Sequence, residues 1–162
     1  MPLTIRRVAP ADLTACAHVE SVCFEPSEAA SEAGIGIRID TFPQGFLVAE
    51  LDGKVVGQIN SGCTGKEDIT DEEFKQLIGH DPDGSNMVVF SLSVLPEAQG
   101  KGAARALMER FIADSRAMGK ERILLLCKDY HIGFYEKLGY EKIGLSASTH
   151  GGFQWWEMAL AL

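Results

Sequence analysis

Three features of this 162-residue chain predict a mixed α/β sheet of about seven strands with about four helices. Asp52-Gly53 separates two apolar runs and is a strong hairpin signal, so part of the sheet is antiparallel. Val88–Arg105 reads as a buried strand, a proline turn, a glycine-rich loop and a helix, and Arg122–Cys127 is a second near-continuous apolar strand covered on both faces. A strand–helix–strand crossover then joins these two strands in parallel.

The elements follow in order. Leu3–Val8 alternates apolar and polar residues as a half-buried strand does. Pro10 and Ala11 open an amphipathic helix with Asp12 in its first turn and Leu13, Cys16, Val19, Val22 and Cys23 near helical spacing. A second helix is expected from Ser27, just after Pro26, past Gly34 and Gly36 to the residue before Phe42-Pro43. The hairpin strands are Gly45–Leu51 and Lys54–Cys63. Thr64–Gly84 interrupts the pattern with an acidic helix at Asp71–Ile78 and a turn at Asp81–Gly84; a long insertion of this kind is a place where specificity resides. His80 lies in it and reads as an ordinary loop histidine.

Val88–Val94 has the β-branched and aromatic character of a central strand, and Pro96 has no N–H with which to continue a ladder. Beyond it, Gln99-Gly100-Lys101-Gly102-Ala103-Ala104 puts small residues where a helix begins, leaving amides without helical partners at the positive end of the helix dipole. That is an anion site suited to a diphosphate. A P-loop would need Ser or Thr after a Gly-Lys pair, and a dinucleotide fingerprint would need a third glycine where Arg105 stands. From the loop alone, a plain turn feeding a surface helix stays open. The helix runs from Gly102 to Met118 and stops at Gly119; a short helix at Tyr130–Leu138 stops at Gly139. The strands Tyr140–Leu145 and Gly152–Leu160 close the chain around the loop Ser146–Gly151.

Composition fits one globular domain over residues 1–162, with 46% hydrophobic and 23% charged residues. No run reaches the length of a membrane span and the start has no signal-peptide core, so no membrane partner and a cytoplasmic location are expected. A net charge of −8 disfavours nucleic acid and suits a cationic partner such as an amine. Cys16, Cys23, Cys63 and Cys127 lack metal-ligand spacing, so free thiols and no metal are expected.

The strand, the Q-x-x-G-x-A pattern of Gln99, Gly102 and Ala104, and the segment Cys127–Tyr140 with its Phe134-Tyr135-Glu136-Lys137-Leu138-Gly139-Tyr140 end resemble the GCN5-related N-acetyltransferase superfamily. More narrowly, LSV, QGKG and LLLCKDYHIGFYEKLGY resemble the arylalkylamine N-acetyltransferase branch. The resemblance covers roughly the C-terminal half. It implies an acetyl-CoA co-substrate with its pyrophosphate on Gln99, Gly100, Lys101, Gly102, Ala103 and Ala104. It also implies backbone contacts to the acyl and pantetheine portions at Leu92, Ser93 and Val94, and Phe134-Tyr135 beside the sulfur with Tyr135 as proton donor. The region between the first two helices would close over the acceptor, with Phe24, Glu25, Glu28, Glu32 and Phe42 as candidate lining.

The branch carries two histidines on the strand before the loop, at positions occupied here by Val88 and Phe90, neither of which takes a proton. His150 is the replacement base to test first, with His131 and Glu28 behind it; delivery of a neutral amine or deprotonation through water also remain open. The expected function is acetyl transfer to a primary amine of a small molecule, of arylalkylamine or polyamine type, by a monomer or homodimer. A non-catalytic acyl-CoA-binding domain and a protein N-terminal acetyltransferase are the alternatives.

Overall fold

The structure, a computed structural model, describes residues 2–162. Its strands are β1 (Leu3–Arg7), β2 (Leu47–Leu51), β3 (Lys54–Thr64), β4 (Asn86–Val94), β5 (Arg122–Cys127), β6 (Glu141–Leu145) and β7 (Trp156–Ala161), and its helices are α1 (Leu13–Cys23), α2 (Glu32–Thr41), α3 (Ala103–Ala117) and α4 (Ile132–Lys137). They form one seven-stranded sheet in the order β1-β2-β3-β4-β5-β7-β6, so the expected mixed α/β architecture is observed. The β2–β3 hairpin turns on Asp52 (φ 55°) and Gly53 (φ 76°), both left-handed as a two-residue primed turn requires.

Side-chain alternation along β2 shows how the sheet is covered. Leu47 and Ala49 belong to the core shared with Leu107, Met108 and Phe111 of α3, whereas Phe46 and Val48 pack with Cys16 of α1 and Ile35 and Ile39 of α2. Farther along the sheet the second face is covered by the insertion, where Ile69 and Phe74 pack on Val88 of β4 and Leu124 of β5. That cover is why β5 has apolar residues on both faces. The four cysteines are free thiols, and among the described residues no helix is long and apolar enough to cross a membrane.

Several boundaries differ from the sequence reading, three of them instructively. The second helix starts at Glu32 rather than Ser27: Ser31 caps it by accepting from the Gly34 amide at 3.0 Å, while Glu28 and Ala29 instead donate to the Glu25 carbonyl in an isolated turn. The acidic stretch is a 3-10 turn, Glu72–Gln76, and not a helix through Ile78, because Leu77 turns left-handed (φ 63°) to bury its side chain. The last strand begins at Trp156 instead of Gly152, the preceding residues forming a tight turn with Gly151 and Gly152 at positive φ.

One feature of the sheet positions the site. β4 pairs with β5 in parallel only from Asn86–Arg122 to Val89–Leu125, so Phe90–Val94 runs on without a β5 partner and the two strands part.

Candidate active site

The parting of β4 and β5 opens a cavity of about 400 Å³. Leu95 donates its amide to Val56 of β3 and Ser93 is registered with Gln58, so alternation turns the peptide groups of Leu92 and Val94 away from β3 and towards the gap. The Val94 carbonyl there accepts from the Gln99 side chain at 3.1 Å and from the Cys23 thiol at 3.3 Å. Ser93 is buried on the other side, where its hydroxyl joins Gln58 and Ser91.

At the end of β4 the chain enters α3 through Gly100 (φ 79°) and Gly102 (φ 80°), a backbone path only glycine follows without strain. An added Cβ at either would meet nothing within 4 Å, so both face open space. The first helical bond is Ala106 to the Gly102 carbonyl, and the amides before it have no helical acceptor. Gln99 and Ala104 line the cavity, while Gly100, Lys101, Gly102 and Ala103 between them are outside its lining. The donors of this cradle are backbone amides, which suits a diphosphate.

Phe134 and Tyr135 line the opposite wall from α4. Their rings stack edge to face at 5.1 Å, and Tyr135 makes a second such contact with Tyr140 at 5.5 Å. Burial pushes the Tyr135 phenol above its ordinary value, so it stays protonated throughout the neutral range. The cavity thiol of Cys127 is likewise pushed up to about 11 by burial and neighbouring Asp129, which makes it a poor nucleophile.

The third wall carries the carboxylates and the closing loop. Glu28 is buried and lines the cavity; its Oε1 accepts from Lys128 Nζ at 3.0 Å and the Glu25 amide at 3.1 Å, while Oε2 is buried without a partner among the described residues. Lys128 in turn lies 3.8 Å from the Phe153 ring centre. His150 also lines the cavity, in an ordered turn rather than a loose loop: Nδ1 is 2.9 Å from Glu72 Oε1 and Nε2 is 2.9 Å from the Glu28 carbonyl. A carbonyl oxygen can only accept, so Nε2 is the donor of that pair, and Nδ1 is engaged by Glu72. His131 lies in the same lining; partial desolvation, then Lys128, lowers its pKa.

Several expected lining residues lie elsewhere. Phe24 is in the cavity wall, but Glu25 and Glu32 are exposed outside it, and Phe42 is buried against His80 with ring centres 4.7 Å apart. His80 accepts from the Cys63 amide and is outside the lining.

The sequence reading passed over Glu20, Arg38 and Lys75, all of which line the cavity. Glu20 accepts from Ser91 at 2.7 Å and from the Ala30 amide at 2.9 Å. Arg38 donates to Asn60 and to the Lys75 carbonyl, both at 3.0 Å. The available signal was position: Glu20 continues the apolar stripe of Cys16, Val19 and Cys23, and Arg38 sits between Ile35 and Ile39. A charged residue on a core-facing stripe is retained for a polar partner or a ligand.

The acetyltransferase (GNAT) family model matches residues 13–140, most of the chain and all of the cavity's walls except the closing loop. The chain belongs to that family. Among GNAT relatives, an acetyltransferase of Pectobacterium atrosepticum is 31% identical over 115 residues, covering 69% of this chain and 68% of that protein. The chloroplastic serotonin N-acetyltransferase 2 of rice is 44% identical over 55 residues, a stretch spanning 34% of this chain but only 28% of the rice enzyme. Of solved GNAT structures, the GphF GNAT-like decarboxylase in complex with isobutyryl-CoA superposes with a TM-score of 0.86 over 98% of both chains at 21% identity, a likeness of fold.

Proposed function

We propose that the chain is an acetyl-CoA-dependent N-acetyltransferase whose acceptor is the primary amine of a small molecule with an aryl or arylalkyl body. The observation that carries this reading is the cavity shared by the β4–β5 gap, Gln99 and Ala104 at the two ends of the amide cradle, Tyr135 and Glu28. Acetyl-CoA supplies an acyl thioester when bound. The residues fit such a co-substrate, since Gly100 and Gly102 leave open the space a diphosphate fills and the Leu92 and Val94 peptide groups face the gap.

Each remaining role falls to a residue of this chain. Glu28 takes a proton from the ammonium, the freed amine nitrogen then bonds to the acetyl carbon, and Glu28 passes its proton to solvent; Tyr135 gives its proton to the sulfur as the C–S bond breaks. Two protons thus leave nitrogen for each amide formed, one replacing Tyr135's and one released. His150 positions Glu28 by donating to its carbonyl, and the rival assignment, His150 as the base itself, is separated from this one by variants below.

Acceptor size and character follow from the lining. The closing loop is tied over the Glu28 turn by His150 and by the Ser27 hydroxyl to the Gly151 carbonyl at 3.0 Å, a closure that favours a small molecule over a protein terminus. Phe24, Phe74, Phe90 and Trp155 offer faces to an aryl group, whereas Arg38 and Lys75 in the same lining disfavour a polyamine. Thiol release from acetyl-CoA, measured against aryl-, arylalkyl- and polyamines, is expected to show turnover with the first two classes. Acetyl-CoA binding without release with any amine would leave the non-catalytic reading instead.

The cradle has its own test. Valine at Gly102 does not tolerate a φ of 80°, so Gly102→Val shifts the first amides of α3 and is expected to weaken acetyl-CoA binding at least about tenfold. Lys101, exposed, contributes a screened charge, and Lys101→Ala is expected to change affinity by less than about threefold. Calorimetric titration reads both; equal affinity for Gly102→Val and wild type removes the cradle.

A further inference from the structure

Arg38 and Lys75 form a cationic pair that makes no salt bridge among the described residues. Arg38 is 4% exposed, and its guanidinium lies 4.9 Å from the Phe90 ring centre in the cavity wall. Nε and one terminal nitrogen donate to the Lys75 carbonyl and to Asn60; the other terminal nitrogen has no hydrogen bond and is not among the sealed, unpartnered polar atoms. Lys75 lines the same cavity half-buried, where burial lowers its pKa, Glu72 opposes that, and Arg38 adds to the lowering. Among the described residues, neither has a carboxylate oxygen within ion-pair distance.

The nearby acids make their direct contacts elsewhere, although Glu20 favours the charge of both cations and Glu72 that of Lys75. Both oxygens of Glu20 accept from neutral donors, Ser91 and the Ala30 amide. Glu72 is paired with His150, Asp71 caps the 3-10 turn through the Glu73 amide, and Glu28 is paired with Lys128. A desolvated guanidinium beside a second cation is costly without an anion. Burial, partly opposed by Glu20, lowers the Arg38 pKa to about 10.

We infer that Arg38 and Lys75 bind a carboxylate that the substrate carries into the cavity. The site lies on the α2 side of the sheet, opposite α3 and its amide cradle, so it is separate from the place proposed for the diphosphate. Its flanks are apolar, Ile69 and Phe74 from the insertion and Phe90 from β4, which suits a carboxylate on an aryl or alkyl body. The inference rests on the proposed amine acetylation and narrows its substrate class. The carboxylate belongs either to the amine acceptor, as in an aromatic amino acid, or to the acyl chain of a dicarboxylic acyl-CoA.

Three measurements decide it. In the acceptor arm, wild type is given phenylalanine and phenethylamine, which differ by the carboxylate; in the acyl arm, phenethylamine is held fixed and succinyl-CoA is compared with acetyl-CoA. A preference for the carboxylate-bearing partner of at least about tenfold in kcat/KM is expected in one arm, carried by KM and abolished in Lys75→Gln and Arg38→Met. The arm that shows it names the source. Independently of turnover, 3-phenylpropanoate is titrated calorimetrically, with at least about tenfold weaker binding expected in both variants and 3-phenylpropanol binding unchanged. If Arg38→Met does not fold because Asn60 loses its donor, Lys75→Gln carries the test. Acetylation of amines with no carboxylate preference in either arm, together with variant-insensitive 3-phenylpropanoate binding, overturns this inference and leaves the acetyltransferase reading standing. Lysine-dependent 3-phenylpropanoate binding without acetylation of any amine does the reverse.

Discussion

Glu28→Gln is expected to lower kcat by about 10³-fold, within the range typical of a lost general base. Glutamine keeps an oxygen for Lys128 and the volume of the buried side chain, but it cannot take a proton. Without the base, the rate follows the fraction of amine that is already neutral, so log kcat/KM should rise by about one unit per pH unit up to the amine's own pKa. The same series separates Glu28 from His150. His150→Gln retains an amide N–H near the Nε2 position that donates to the Glu28 carbonyl, and so should keep turnover within about threefold, whereas His150→Ala removes the tie and should lose about tenfold. Equal losses in His150→Gln and His150→Ala, both recovering at high pH while Glu28→Gln stays near wild type, would transfer the base to His150.

Much of this site was legible where its determinants are local. Pro96, Gly100 and Gly102 dictate a strand end and a left-handed entry into α3 by their own backbone chemistry, and Asp52-Gly53 does the same for the hairpin. The turn around Glu28 shows where local reading stops. Pro26-Ser27-Glu28 resembles a helix start, yet the turn is held by Lys128 and by the loop of His150 and Gly151, partners 100, 122 and 124 residues away, and the helix begins at Ser31 instead. The insertion behaves likewise. Its sequence has helical composition, but Phe74 and Leu77 are drawn into the core, and that burial favours a 3-10 turn closed by a left-handed leucine over a regular helix. Arg38 is the instructive case on function: its position between Ile35 and Ile39 marks a buried stripe, and only its geometry beside Lys75 shows a cation with no salt bridge among the described residues.

Tyr135→Phe tests the other end of the reaction and is expected to reduce kcat by about 10²-fold with acetyl-CoA affinity unchanged. The ring's edge contacts with Phe134 and Tyr140 need no hydroxyl, so the variant keeps the packing of α4 against the sheet and loses only the donor. Because burial raises the phenol above its ordinary pKa of about 10, Tyr135 holds its proton at every pH where the enzyme is assayed. It therefore adds no falling limb to the wild-type pH–rate profile, and Tyr135→Phe should lower that profile uniformly without changing its shape. Single-turnover measurements isolate the chemical step from product release. Unchanged turnover under those conditions would make Tyr135 a packing residue, and a wild-type alkaline limb near pH 10 that vanishes in Tyr135→Phe would mean the phenol is far better solvated than its buried place in α4 allows.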